Sequence, residues 1–120
     1  MVQKFGAGIW HFATYVDRYN TEGYGEPRSV LDAIKLAGQV KDLSVVDINF
    51  PYFGGSFSNQ QIKNELHEVD LDVIGITPEI YTKEFRKGAF TNPDPGIRNR
   101  AHELITEACE AVRFFDAAYV

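Results

Sequence analysis

The stretch that decides the fold is LSVVDINFPYFGGSFSNQQIKNELHEVDLDVIGITP, residues 43–78. It begins and ends with short segments rich in β-branched residues, and each segment stops at a proline. Between them, Ile62, Leu66 and Val69 recur at the spacing of one helix face. Ser58 stands where a helix cap is expected. The stretch therefore predicts a strand, a helix and a second strand parallel to the first.

The same alternation extends in both directions. Upstream, residues 4–10 form a short apolar segment typical of a buried strand, and Ser29 is a candidate cap for the helix that follows. Downstream, Asp94 and Pro95 open a long helix with a continuous apolar stripe. Residues 117–120 then predict the start of a further strand. This order predicts an α/β fold with a parallel sheet.

Composition excludes several classes of partner. The formal net charge is −5, and no block of lysine and arginine is present, so nucleic acids and anionic membranes are not expected partners. The one cysteine, Cys109, excludes an internal disulfide and fits a reducing compartment. No apolar run approaches the roughly 18 residues of a membrane span. We therefore expect a cytoplasmic protein.

Three segments carry a resemblance to a known family. They are KFGAGIW (residues 4–10), DRYNTEGYG (residues 17–25) and above all KGAFTNPDPGIRNRAHELITEACEAVRFFDAAYV (residues 87–120). Together they resemble the N-terminal part of the xylose-isomerase-like TIM barrels, the sugar isomerase/epimerase superfamily. The resemblance covers essentially all of residues 1–120. It implies a partial (β/α)8 TIM barrel: the first three β-α units plus the start of the fourth strand, forming the N-terminal half of the barrel.

Two enzymatic branches of the superfamily fit the chain. One contains metal-dependent sugar or sugar-phosphate isomerases and epimerases, which move a proton next to a carbonyl. The other is the catalytic subunit of C-glycoside deglycosidases, which are C–C lyases acting on 3-oxo-glycosides; the long loop at residues 11–26 is more similar to this branch. Residues 49–52, Asn-Phe-Pro-Tyr, depart from xylose isomerase, which carries a His-Asp-rich segment there. The substrate implied in either case is a carbohydrate or glycoside.

The resemblance also implies a divalent metal, manganese, magnesium or cobalt. The family holds it with carboxylates and a histidine on the fourth strand and later, positions beyond Val120. No cluster of histidine and acidic residues with ligand spacing occurs in this sequence. We therefore expect no complete metal site and no activity from this chain alone. The remainder of the barrel or a second subunit would complete it, in an oligomer.

A non-catalytic role is the alternative. Half a barrel leaves open strand edges and an uncovered face, and such surfaces pair with other chains. The chain would then be a structural half that assembles with a partner. An independent flavodoxin-like module is less favoured, because no Gly-rich phosphate loop follows the first strand.

Candidate site residues follow from the rule that parallel barrels place their sites at the carboxyl ends of the strands. His11 carries an imidazole, a common general acid or base, just past the first strand, and Glu79 is a carboxylate just past the third, so both are candidate catalytic residues. The structural alternatives are a loop histidine and a turn carboxylate. The strand-end candidates for substrate binding are two aromatic residues and an amide that donates and accepts, namely Trp10, Tyr52 and Asn49. The resemblance adds Phe90, in the loop before the third helix, as the family's aromatic wall residue. Asp47 shares a strand face with Asn49.

Overall fold

The computed structural model describes residues 3–14, 17, 19–20 and 22–120. Three parallel strands form one sheet in chain order: β1 (Phe5–Gly8), β2 (Leu43–Phe50) and β3 (Asp72–Pro78). Three helices alternate with them: α1 (Val30–Ala37), α2 (Asn59–Glu68) and α3 (Pro95–Phe115). The α/β class that the sequence predicts is the class of the structure.

The predicted partial (β/α)8 TIM barrel is wrong. The chain folds as a compact α/β domain whose sheet has three strands, and residues 117–120 do not form a fourth. They touch β3 at one isolated bridge between Gly75 and Tyr119. Tyr119 and Val120 are 48% and 50% exposed, so little burial is available to stabilise a strand there. The description of residues 1–120 as half of a barrel is corrected with it.

The helices begin where the sequence predicts. Ser29 and Ser58 each accept a hydrogen bond from the backbone N–H three residues later, and the side chain of that third residue accepts one from the cap in return. Asp94 accepts from the N–H of Gly96, and Pro95 occupies the first turn of α3. These caps satisfy backbone donors that a helix start leaves unpaired.

The hydrophobic core lies on one face of the sheet. Strand residues Val46, Ile48 and Ile76 are fully buried there and belong to one cluster with apolar side chains of all three helices. A smaller cluster forms around Phe85, beside α3. Alternation along β2 sends Asp47 and Asn49 to the opposite face. The second face of the sheet therefore carries the polar side chains of Asp47 and Asn49 beside apolar ones such as Val45 and Ile74.

Strand β1 ends earlier than residues 4–10 predict. After Gly8 the chain turns into a short 3₁₀ helix, Ile9–Phe12, which folds the Trp10 side chain back over the strand. A Cβ atom at Gly8 would stand 2.1 Å from Cζ2 of Trp10, so only glycine leaves room for this indole. In the long loop that follows, residues 15–16, 18 and 21 lie outside the described part.

Each helix is followed by an aspartate in the left-handed backbone region. The φ angles are 65° at Asp42, 56° at Asp70 and 54° at Asp116. Asp42 and Asp70 precede strands β2 and β3, and Asp116 precedes the bridge to Gly75. Aspartate adopts this region more readily than most side chains. The three units thus return to the sheet through the same type of joint.

None of the helices in the described ranges combines the length and the apolar character that a bilayer crossing requires.

Candidate active site

A small cavity lies where the carboxyl ends of the three strands meet. We call it the strand-end cavity; it measures about 30 Å³. Its walls come from the segments that follow β1 and β3, from the end of β2 and from the loop after β2. The lining residues are Trp10, Ala13, Thr14, Asn49, Phe53, Glu79 and Tyr81. Of the residues predicted from sequence, the structure brings Trp10, Asn49 and Glu79 together here.

Of the two polar atoms of the Asn49 side chain, one has a hydrogen-bond partner among the described residues and the other has none. Its side chain is 3% exposed, and Nδ2 donates to the hydroxyl oxygen of Tyr81 at 2.8 Å. Its Oδ1 finds no donor among the residues that the structure describes. An unsatisfied buried acceptor costs about 1–3 kcal/mol. Asn49 therefore presents a buried acceptor that a donor from a ligand would satisfy.

Glu79 supplies the titratable group of the cavity. Its backbone N–H donates to the carbonyl oxygen of Phe50 at 2.8 Å, which fixes the start of this loop against the end of β2. Burial raises the pKa of the Glu79 carboxyl from 4.5 to about 7. A carboxyl with that pKa exchanges protons efficiently at neutral pH. The sequence indicates its position but not its burial, which depends on the loops around it.

Three predicted site residues, His11, Phe90 and Tyr52, are not among those that line the strand-end cavity. His11 is exposed, with Nδ1 3.0 Å from the carbonyl oxygen of Gly8. Phe90 is 44% exposed and packs its ring 5.1 Å from that of His102 on α3. The structure does not place either side chain in the strand-end cavity.

Tyr52 lines a different, open cavity of about 400 Å³ near the start of α2. Its hydroxyl donates to Oδ1 of Asn59 at 2.5 Å, and burial raises the pKa of this hydroxyl. The Tyr52 hydroxyl is therefore engaged within the protein, apart from Asn49 and Glu79.

A third cavity lies on the sheet face opposite the core. We call it the sheet-face recess; it measures about 370 Å³. Its lining is Gly6, Ala7, Gly8, Trp10, Val45, Asp47, Ile74 and Tyr119. Trp10 thus lines both this recess and the strand-end cavity.

Asp47 is the charged group of the recess. It is 8% exposed, and its Oδ1 accepts from the Thr77 hydroxyl at 2.7 Å. A hydrogen bond with Asp47 also raises the pKa of the Tyr119 hydroxyl, together with burial and the nearby negative charge. Tyr119 in turn covers Gly75, where a Cβ atom would stand 2.2 Å from its ring. The hydroxyls of Thr77 and Tyr119 therefore hold a buried carboxylate at the sheet face.

Sequence reasoning did not assign roles to Thr14, Phe53, Tyr81 or Tyr119. The first two come from loops whose path has no local signal. Tyr81 and Tyr119 reach their polar partners across the sheet, Asn49 and Asp47 respectively. Only the period of β2, which places Asp47 and Asn49 on one face, signals this polar surface in advance.

The residues present do not form the ligand set of the metal that the resemblance implies. Within the described ranges, no three histidine, cysteine, aspartate or glutamate side chains are grouped so that they can hold a metal ion. The metal stays a prediction.

The chain matches no protein-family model and no curated protein.

Proposed function

We propose that the chain binds a hydroxycarbonyl compound of the carbohydrate class at the mouth of the strand-end cavity, with one hydroxyl inside the cavity, and that Glu79 exchanges a proton with the carbon next to its carbonyl. The observation that carries this is the unpaired Oδ1 of Asn49, buried in the same cavity as a carboxyl whose pKa is about 7.

The chemistry of the two polar groups favours hydroxyl-bearing ligands. Asn49 Oδ1 needs a donor, and a carbohydrate hydroxyl donates and accepts at once. Glu79 accepts when ionised and donates when protonated. Trp10 adds an apolar wall. A site that pairs a few buried polar groups with an aromatic wall is typical of small-molecule binding.

The proton transfer follows from the position of Glu79. The ionised carboxylate takes a proton from the carbon bearing a hydroxyl beside the carbonyl; the C–H electron pair becomes a C=C bond, and the carbonyl oxygen takes the negative charge. Return of the proton to the former carbonyl carbon, with proton movement between the two oxygens, gives the isomer. A base of this pKa suits catalysis near neutral pH.

Two related predictions remain open beside this one. The same base would also assist C–C cleavage of a 3-oxo-glycoside, so a C–C lyase activity of this kind is the alternative. Assembly with a partner chain is the other, since the sheet face opposite the core holds an open recess. A native mass above 13.6 kDa, the mass of one chain, would support that assembly.

The direct test is hydrogen exchange at carbon. Dihydroxyacetone, the smallest ketose, is incubated with the protein in D₂O at neutral pH, and ¹H NMR follows deuterium uptake next to the carbonyl. We expect uptake above the buffer rate that Glu79→Gln abolishes and Glu84→Gln preserves, since Glu84 is an exposed glutamate of the same loop. Equal uptake by wild type and Glu79→Gln would reject Glu79 as the base.

A further inference from the structure

We infer that the strand-end cavity and the sheet-face recess are two parts of one site that takes a non-phosphorylated ketose, with the ring in the recess and the hydroxymethyl arm next to the anomeric carbon in the strand-end cavity. The ring opens before Glu79 acts: the anomeric hydroxyl loses its proton, the bond from the anomeric carbon to the ring oxygen breaks, that oxygen takes the proton, and the carbonyl forms beside the arm. This inference rests on the proposed function and adds two things to it: the position of the ring, and the exclusion of phosphorylated substrates by Asp47.

The sizes of the two cavities require a divided ligand. The strand-end cavity, about 30 Å³, holds one group the size of a water molecule or hydroxyl. The recess, about 370 Å³, falls within the usual range of ligand pockets, roughly 300–1,000 Å³. Of these two cavities, only the recess has room for a sugar ring, and one arm of the ring reaches Asn49 and Glu79.

Trp10 is the wall that the two cavities share. Its indole lies directly over Gly8, and Gly6 and Gly8 line the recess without side chains. A bare backbone floor beside an indole gives a flat surface on which the apolar face of a sugar ring packs. Occupancy of the recess consequently changes the surroundings of the indole.

Asp47 determines the charge that the recess accepts. Its carboxylate has about four acceptor positions, and the described contacts, from Thr77 and Tyr119, occupy two of them. A ring hydroxyl can donate to the remaining positions, and hydrogen bonds to a charged acceptor are the stronger ones. Among the residues that the structure describes, those that line the recess include no lysine or arginine. A phosphate group there would meet a like charge without a counterion, whereas a neutral sugar would not.

The experiment uses the fluorescence of Trp10, the only tryptophan of the chain. Wild type is titrated with dihydroxyacetone, D-fructose and D-fructose 6-phosphate. We expect D-fructose to bind about tenfold more tightly than dihydroxyacetone, because its ring gains one hydrogen bond to the Asp47 carboxylate. D-fructose 6-phosphate should bind more weakly than D-fructose, because its phosphate is repelled by that carboxylate.

Two variants locate the ring. Asp47→Asn should weaken D-fructose about tenfold, leave dihydroxyacetone unchanged and reduce the preference against the phosphate. Gly8→Ala should displace the indole and weaken D-fructose further. Gly25→Ala is the matched control, because a Cβ atom at Gly25 meets nothing within 4 Å. Tyr119→Phe removes a hydroxyl from an exposed side chain, and should weaken D-fructose even if the Asp47 variant does not fold.

The outcomes separate this inference from the proposed function. If D-fructose binds no tighter than dihydroxyacetone, or leaves Trp10 fluorescence unchanged, the shared site is wrong. It is also wrong if Asp47→Asn, or in its place Tyr119→Phe, weakens both ligands equally. Deuterium uptake from dihydroxyacetone that depends on Glu79 would still support the proposed function in those cases. Loss of that dependence would reject the proposed function itself.

Discussion

The two faces of the central sheet are built from the same three strands and have opposite characters. On the core face, Val46, Ile48 and Ile76 are fully buried against the helices. On the other, Asp47 and Thr77 form a hydrogen bond, and Asn49 leaves an acceptor unpaired. Successive residues of β2 alternate between the two surfaces. One face therefore stabilises the domain, and the other holds polar groups whose cost that stability offsets.

The contrast also shows where the sheet is adapted for a ligand. A face devoted to stability would pair every buried polar atom, since unpaired ones are rare in native proteins. The face opposite the core instead combines glycines at Gly6 and Gly8 with an Asn49 oxygen that has no partner among the described residues, and Glu79, a carboxyl of raised pKa, follows directly after β3. Substitutions on the two faces should consequently differ in what they change: stability on the core face, binding on the polar face.

The largest effect should come from the core face. Ile48→Ala removes a fully buried side chain, and we expect the free energy of unfolding to fall by about 2–5 kcal/mol in urea denaturation. Val40→Ala is the control, because Val40 is 45% exposed and its truncation should change stability by less than about 0.5 kcal/mol. Similar losses from the two variants would show that the core does not lie where we place it.

The pH dependence of stability should reveal the cost of ionising Glu79. Its pKa is about 7 in the folded state against 4.5 ordinarily, so between these values the folded state binds more protons than the unfolded state. Stability should therefore fall as pH rises from about 4.5 to about 7, by up to about 3 kcal/mol, and stay lowered above that range.

The measurement compares urea unfolding of wild type and Glu79→Gln at pH 5, 6, 7 and 8. The glutamine variant should lose this part of the slope, because it carries no titrating carboxyl. Glu84→Gln should keep it. A slope that survives in Glu79→Gln would place the responsible group elsewhere.

A smaller loss of stability should follow removal of a donor on the polar face. Thr77→Val deletes the hydroxyl that donates to Asp47 at 2.7 Å, leaving a buried carboxylate with one donor fewer. We expect a loss of about 2 kcal/mol, measured by thermal and urea unfolding. Thr77→Ser retains the hydroxyl and should recover most of that loss. If serine is as destabilising as valine, the methyl group rather than the hydrogen bond matters at this position.

Tyr119→Phe should have the smallest effect on stability and the clearest effect on binding. The side chain is 48% exposed, so loss of its hydrogen bond to Asp47 should cost about 0.5–1 kcal/mol. D-fructose affinity should nevertheless fall, as read from Trp10 fluorescence. If Tyr119→Phe strongly lowers the free energy of unfolding and leaves D-fructose binding unchanged, the assignment of stability to the core face and of binding to the opposite face is wrong.

Much of the fold was predictable because it depends on local signals. The caps at Ser29, Ser58 and Asp94 all form as predicted, and strand β2 spans the residues that its β-branched run indicates. The predicted barrel is wrong because it required a fourth strand, which such local signals cannot establish. Four apolar residues at positions 117–120 resemble a strand locally, but strand formation depends on burial by neighbours, and Tyr119 and Val120 remain about half exposed.

The candidate site was only partly predictable for the same reason. Asn49 and Glu79 stand at strand ends, which their sequence positions indicate, and the structure brings them together. Tyr52 and His11 also follow strand ends, and Phe90 lies in the loop before α3, yet each contacts a local neighbour: Asn59, the Gly8 carbonyl and His102 respectively. Which of several strand-end residues point into a cavity depends on loop paths, and the sequence does not encode these paths locally.

The repeated aspartate joints have a consequence for colloidal behaviour. Asn or Gly would suit the left-handed angles of Asp42, Asp70 and Asp116 at least as well, and would remove negative charge from beside the carboxyl ends of α2 and α3. Replacing all three with asparagine, however, takes the formal net charge from −5 to −2. Charge of one sign keeps molecules apart in concentrated solution. The three aspartates that return the chain to the sheet thus also supply a large share of the repulsion that opposes precipitation. A variant with asparagine at all three positions should precipitate at lower protein concentration.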